Sequence, residues 1–142
     1  MTVRHLDHLN LTITSWDATV EWYHRVFGFD VVESGVRQGQ RWGVLRAGDA
    51  LLCVYESPER HVLDDDEATR FRAHTLNHFS LRLTDRAVWE ATLAREGLPF
   101  SYPSPVDWTH STAWYVLDPS GHEIEVTVWD DDTVSFAGAN IQ

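Results

Sequence analysis

Lysine is absent from this 142-residue chain. All eleven basic residues are arginines, set against 22 aspartates and glutamates, for a net charge of −11. A surface of that sign repels phosphate backbones and anionic headgroups, which argues against nucleic-acid and membrane-surface partners. It leaves the sign of a pocket open. Cysteine occurs once, as Cys53, so an internal disulfide scaffold is excluded; its apolar neighbours predict an ordinary buried thiol. No segment approaches the roughly eighteen apolar residues of a membrane-spanning helix. The N-terminus also lacks the apolar core of a signal peptide. The expectation is a soluble cytoplasmic protein. With 43% hydrophobic residues, the chain has material for one domain or two small halves sharing a core.

An internal repeat organises the chain. Leu6-Asp7-His8-Leu9-Asn10-Leu11-Thr12-Ile13 and Leu76-Asn77-His78-Phe79-Ser80-Leu81-Arg82-Leu83 lie 70 residues apart, with His8 and His78 in the same register. Residues one, three and five after each histidine are apolar. The histidine shares the opposite strand face with Asn10 and Thr12, or with Ser80 and Arg82. A helix over about 16–27 follows the first strand, capped by Ser15 and stopped by Gly28. A helix over about 86–96 follows the second, between Asp85 and Gly97. Three strands are predicted after each helix, over about 29–36, 41–47 and 50–56, then 99–106, 111–117 and 122–129. The pattern divides the chain into a first module at 1–56, a linker at 57–74, a second module at 75–129 and a tail at 130–142. The linker's acidic run suits the start of a short helix near 64–72. In the tail, periodicity fades, although Val134 and Phe136 have the character to dock.

The last predicted strand sets Glu123, Glu125 and Thr127 on one side and Ile124, Val126 and Val128 on the other. A buried carboxylate needs a cation or donors nearby. One explanation for all three polar anomalies is that His8, His78 and Glu125 bind a divalent metal. Two imidazoles and a carboxylate suit borderline first-row ions and leave positions for water, oxygen or substrate. The plainer alternative is a pair of hydrogen-bonded or exposed histidines and an ordinary strand glutamate.

Taken with "WYHRVFGFD" and "WYVLDPSGHEIEV", the two histidine segments make the chain resemble the vicinal oxygen chelate superfamily, also described as glyoxalase/bleomycin-resistance/dioxygenase-like. The resemblance runs from about residue 4 to residue 129. It implies an α+β fold of two βαβββ modules forming a cupped metal-binding sheet, with the family's ligands at His8, His78 and Glu125. Matching Gly48 to Gly121 places Leu52 opposite Glu125, where four-ligand glyoxalase I enzymes usually carry another ligand. Leucine cannot serve there. Glu56, four residues on, reads as a rim carboxylate of the pocket.

The segment "THSTAWYVLDPSGHEIE" partly resembles the extradiol dioxygenase signature, in which histidine and tyrosine precede the carboxylate ligand. That implies catalytic roles for Tyr115, as a hydrogen bond to substrate oxygen, and for His110, as an acid/base group. The gap from His110 to Tyr115 is shorter than the usual pattern. Trp42, Trp108 and Trp114 offer flat apolar pocket walls, which motivates an aromatic substrate. Asn10 shares the face of His8, and Arg82 is a candidate for a substrate anion.

The preferred reading is an Fe(II)-dependent extradiol-type dioxygenase using O2 on an aromatic vicinal diol or enediol-like small molecule. The alternatives are a glyoxalase-like lyase, isomerase or thiol transferase using Mn(II), Zn(II) or Ni(II), and a metal-free small-molecule-binding resistance protein. Similar small proteins often form homodimers, which implies a site built within one chain or across two.

Overall fold

Ser15 and Asp85 accept the amides of Ala18 and Val88, and Gly28 and Gly97 end the same two helices in left-handed backbone. Each signal is local, so both helices form where the sequence places them. The computed structural model describes residues 2–136. In order these form β1 (Leu9–Ile13), α1 (Trp16–Phe27), β2 (Asp30–Arg37), β3 (Gln40–Ala47), β4 (Ala50–Glu56), α2 (Asp65–Phe71), β5 (Phe79–Leu83), α3 (Arg86–Glu96), β6 (Val106–Trp108), β7 (Ser111–Leu117) and β8 (Glu123–Trp129).

Two four-stranded sheets result, ordered β1-β4-β3-β2 and β5-β8-β7-β6, and each has one parallel pair, β1 with β4 and β5 with β8. Both halves are therefore βαβββ modules. Neither sheet closes on itself or curls strongly into a cup. By contact the chain forms two units. One is the chain through Ala73 together with Pro119–Gly121; the other is His74–Asp118 and the chain from His122 onward. Within the first unit the Ser120 hydroxyl accepts the Thr14 amide at 3.0 Å.

Strand parity assigns the faces. In the first unit Leu11, Ile13, Leu45, Leu52 and Val54 are buried, as are Trp16, Tyr23 and Val26 of α1. Gly43 is the close approach in this layer. A Cβ there would stand 2.4 Å from the Trp16 ring and 2.6 Å from the Glu33 carbonyl oxygen. In the second unit Trp89 of α3 meets Trp114 of β7 edge to face at 6.5 Å, with Val116, Ile124 and Val126 buried beside them.

Two expectations shift. The strand predicted over 99–106 does not form: β6 begins only at Val106, and Phe100 makes an isolated bridge to Val116. Pro103 and Pro105 lack amide hydrogens, so this stretch cannot sustain a ladder. Cys53 is half-buried rather than buried. In the tail, as its character suggested, Phe136 meets Trp129 edge-on at 5.4 Å after the chain turns through Asp130–Asp132, whereas Val134 is exposed. The remainder of the tail lies outside the described residues.

Candidate functional site

β5 and β8 run parallel with Ser80 opposite Glu125, and β7 places Tyr115 on the other side of the same glutamate. The polar face of this sheet therefore gathers the side chains that strand parity singled out. His78 directs Nε2 to Glu125 Oε2 at 3.3 Å and Nδ1 to Glu123 Oε1 at 3.5 Å. The Tyr115 hydroxyl donates to Glu125 Oε1 at 3.0 Å. The Glu125 side chain is only 19% exposed.

Burial, the bond to Glu125 and the negative charges of Glu125 and Glu123 push the Tyr115 phenol up to about 12, while a hydrogen bond with the Trp108 indole pulls the other way. Tyr115 thus keeps its proton at neutral pH and acts as a donor. A cavity of about 490 Å³ opens beside these groups, lined among others by Ser80, Trp108, His110, Glu125, Trp129 and Phe136.

The first unit repeats part of this pattern. His8 lies just before β1, as His78 lies just before β5. Its Nδ1 is 2.8 Å from Asp7 Oδ2, a hydrogen bond that holds the Asp7 carboxyl below the ordinary range. In both modules a carboxylate stands at the Nδ1 side of the histidine. A proton held at Nδ1 leaves the Nε2 lone pair for a ligand.

The remaining candidates divide by face. Asn10 pairs with Cys53 in register, and Trp42 pairs with Tyr55, their rings stacked at 6.3 Å. Parity sets these four residues on the sheet face opposite the buried layer. Glu56 lies in the other parity, and its carboxylate accepts the Trp16 amide at 2.7 Å at the start of α1. Trp114 is buried against Trp89, away from the polar face. Arg82 points along the Ser80 face, but its guanidinium is engaged by the carbonyl and carboxylate of Asp132.

The register also revises the position equivalent to Glu125. Asn10 faces Cys53 as Ser80 faces Glu125, and Val44 faces Cys53 as Tyr115 faces Glu125. Cys53, not Leu52, occupies the matching site; Leu52 is buried with the core. The glycine match failed because the β3–β4 turn encloses Gly48 and Asp49 only, whereas the β7–β8 turn encloses 118–122. A one-residue slip reverses strand parity. The contacts of Asp7 and Glu123 with the histidines were also missed. Their acidic character beside each histidine strand was the available signal.

The profile of the Glyoxalase/Bleomycin resistance protein/Dioxygenase superfamily matches residues 5–126. The chain belongs to this superfamily. Among curated proteins it is 30% identical over 125 residues to catechol-2,3-dioxygenase of Bacillus subtilis (strain 168), covering 86% of this chain and 40% of that one. The chain therefore spans less than half the length of that relative. Among solved superfamily folds, a glyoxylase/bleomycin resistance protein/dioxygenase domain from Frankia sp. EAN1pec aligns with TM-score 0.74 at 16% identity, over 93% of this chain and 96% of the other. A glyoxalase family protein from Enterococcus faecalis aligns with TM-score 0.73 at 20% identity, over 89% and 99%. The fosfomycin resistance protein FosX from Listeria monocytogenes aligns with TM-score 0.67 at 14% identity, over 88% and 93%. These structural likenesses speak to the fold. The superfamily handles diverse small molecules, and no helix among the described residues is long and apolar enough to cross a membrane.

Two imidazoles and a carboxylate form a donor set suited to a divalent first-row ion. Within the second unit, an imidazole nitrogen and a carboxylate oxygen stand 3.3 Å apart. Among the described residues, no group of three His, Cys, Asp or Glu is close enough together to hold an ion.

Proposed function

We propose that this protein is a metal-dependent dioxygenase acting on an aromatic vicinal diol or enediol-like small molecule. In this reading His8, His78 and Glu125 hold one divalent ion, with Fe(II) favoured over Mn(II), Zn(II) or Ni(II). The observation that supports it most is the His78–Glu125–Tyr115 constellation at the cavity edge. A half-buried carboxylate is there flanked by an imidazole and a protonated phenol. The relative named catechol-2,3-dioxygenase supports the substrate class.

A bound Fe(II) supplies a place where a vicinal diol and O2 are held side by side and polarised. The chain's own groups do the rest. Tyr115 retains its proton and donates to a substrate oxygen that approaches Glu125. His110, on the cavity wall, is placed to take or return a substrate proton. Trp108, whose indole hydrogen-bonds with the Tyr115 hydroxyl, presents a flat apolar wall. The protein acts as a homodimer, which gives the module carrying His8 two routes to the other ligands, within one chain or across two.

A second reading draws on Cys53. A thiol at the register position of Glu125 gives the first module a fourth donor of ligating type, and a four-donor set suits a glyoxalase-like lyase or isomerase. Metal analysis after anaerobic purification in a broad metal supply distinguishes the readings. Near-stoichiometric iron, with O2 uptake on catechols that Glu125→Gln abolishes, is the expected result. Stoichiometric manganese, zinc or nickel without O2 uptake selects the lyase or isomerase. Failure to take up any added divalent ion refutes both and selects a metal-free binding protein.

A further inference from the structure

The cavity beside Glu125 owes one wall to the chain after the last strand. The Asp130 amide donates to the His110 carbonyl at 2.9 Å, which ties the end of β8 to the loop before β7. Asp131 and Asp132 then adopt left-handed backbone, φ 54° and 49°, and reverse the chain. That conformation is uncommon outside glycine, though aspartate adopts it more readily than most residues, and neighbouring contacts help to hold it. Arg82 supplies such contacts, because its guanidinium bridges the carbonyl and carboxylate of Asp132. Ser135 and Phe136 consequently return to line the cavity.

Phe136 and Trp108 are 78% and 58% exposed, although each is a large apolar ring at the cavity wall. With Trp129 they make an aromatic surface that the described residues leave exposed. Among the described residues its ionisable lining groups are His110 and Glu125, with no arginine. Arg82 is occupied by Asp132, and Asp130 and Asp131 add acid to the same segment. Such a surroundings favours a flat neutral ring over a carboxylated one.

We propose that the segment Asp130–Phe136 is a specificity wall, strapped in place by Arg82, that selects uncharged aromatic molecules with Phe136 as a ring contact. This rests on the proposed function for the chemistry of the diol, but ring binding needs no metal. The two are therefore tested separately.

The experiment uses the metal-free full chain and follows tryptophan fluorescence on titration with naphthalene-2,3-diol and, in parallel, 3-hydroxy-2-naphthoate. The neutral diol is expected to quench saturably and to bind about tenfold more tightly than the carboxylate. Phe136→Ala is expected to weaken diol binding by about five- to tenfold, the worth of one aromatic ring contact. Because Phe136 is exposed, this variant keeps its fold, which circular dichroism checks. Arg82→Gln is expected to weaken the diol similarly. The double variant should bind no more weakly than Phe136→Ala alone, since both changes remove the same wall. Absent diol binding, equal binding of the carboxylate, an unaffected Phe136→Ala variant or additive losses in the double variant each overturn the proposal. Metal uptake by the same preparations reports independently on the proposed function.

Discussion

At Cys53, burial followed by the negative charges of Asp7 and Glu33 raises the thiol above its ordinary value of 9.0. The folded protein therefore favours the neutral thiol. Its contribution to stability is complete below the unfolded pKa and is lost as pH climbs through the higher folded value. Two results follow. Iodoacetamide should alkylate Cys53 in the native chain more slowly than free cysteine at pH 8, with the rate still rising where free cysteine has levelled off. Cys53→Ala should flatten the alkaline part of the stability–pH curve in denaturant titrations. At the other histidine module, Glu123→Gln is expected to weaken metal binding by about tenfold, as loss of an outer carboxylate on an imidazole does. Calorimetric metal titration reads that loss directly. The contact of His78 with Glu125 was legible in the sequence because strand parity set both on one polar face. Cys53 was not, since the unequal turns shift the second half of the repeat and conceal which residues correspond.

Among the elements, the start of α1 takes a cap from a strand far along the chain. Glu56 accepts the Trp16 amide, whereas Ser15 supplies the local cap. Glu56→Ala should destabilise the protein by about 1.5–3 kcal/mol, the usual worth of a hydrogen bond to a charged group, measured as a lower urea midpoint. Gly43→Ala should cost about 1–3 kcal/mol or more through overpacking, because the Glu33 carbonyl and Trp16 ring already occupy the space. A fall in Tm checks it. Helices were readable from their caps, and most strands from alternation. The second strand of the second module was not, because 99–106 carries strand-like residues but the prolines withhold the donors. Contacts such as Glu56 with Trp16 depend on which strand end meets which helix end, and alternation carries no such information.

At the scale of the whole molecule, charge and connectivity set the behaviour. With net charge −11 the chain should pass through a heparin column at low salt and bind an anion exchanger at pH 7; retention on heparin would contradict that surface. The repeat suggested two successive halves, and each does form its own βαβββ sheet. The contact grouping adds what succession alone does not reveal, that Pro119–Gly121 belongs with the chain through Ala73. The Ser120 hydroxyl that accepts the Thr14 amide is one reason. A gene crossover in the linker, pairing this first half with a relative's second half, would trade away those three residues along with the donated strands. Descendants of such an exchange would inherit an intact β1-to-β4 sheet with a foreign turn in place of its own.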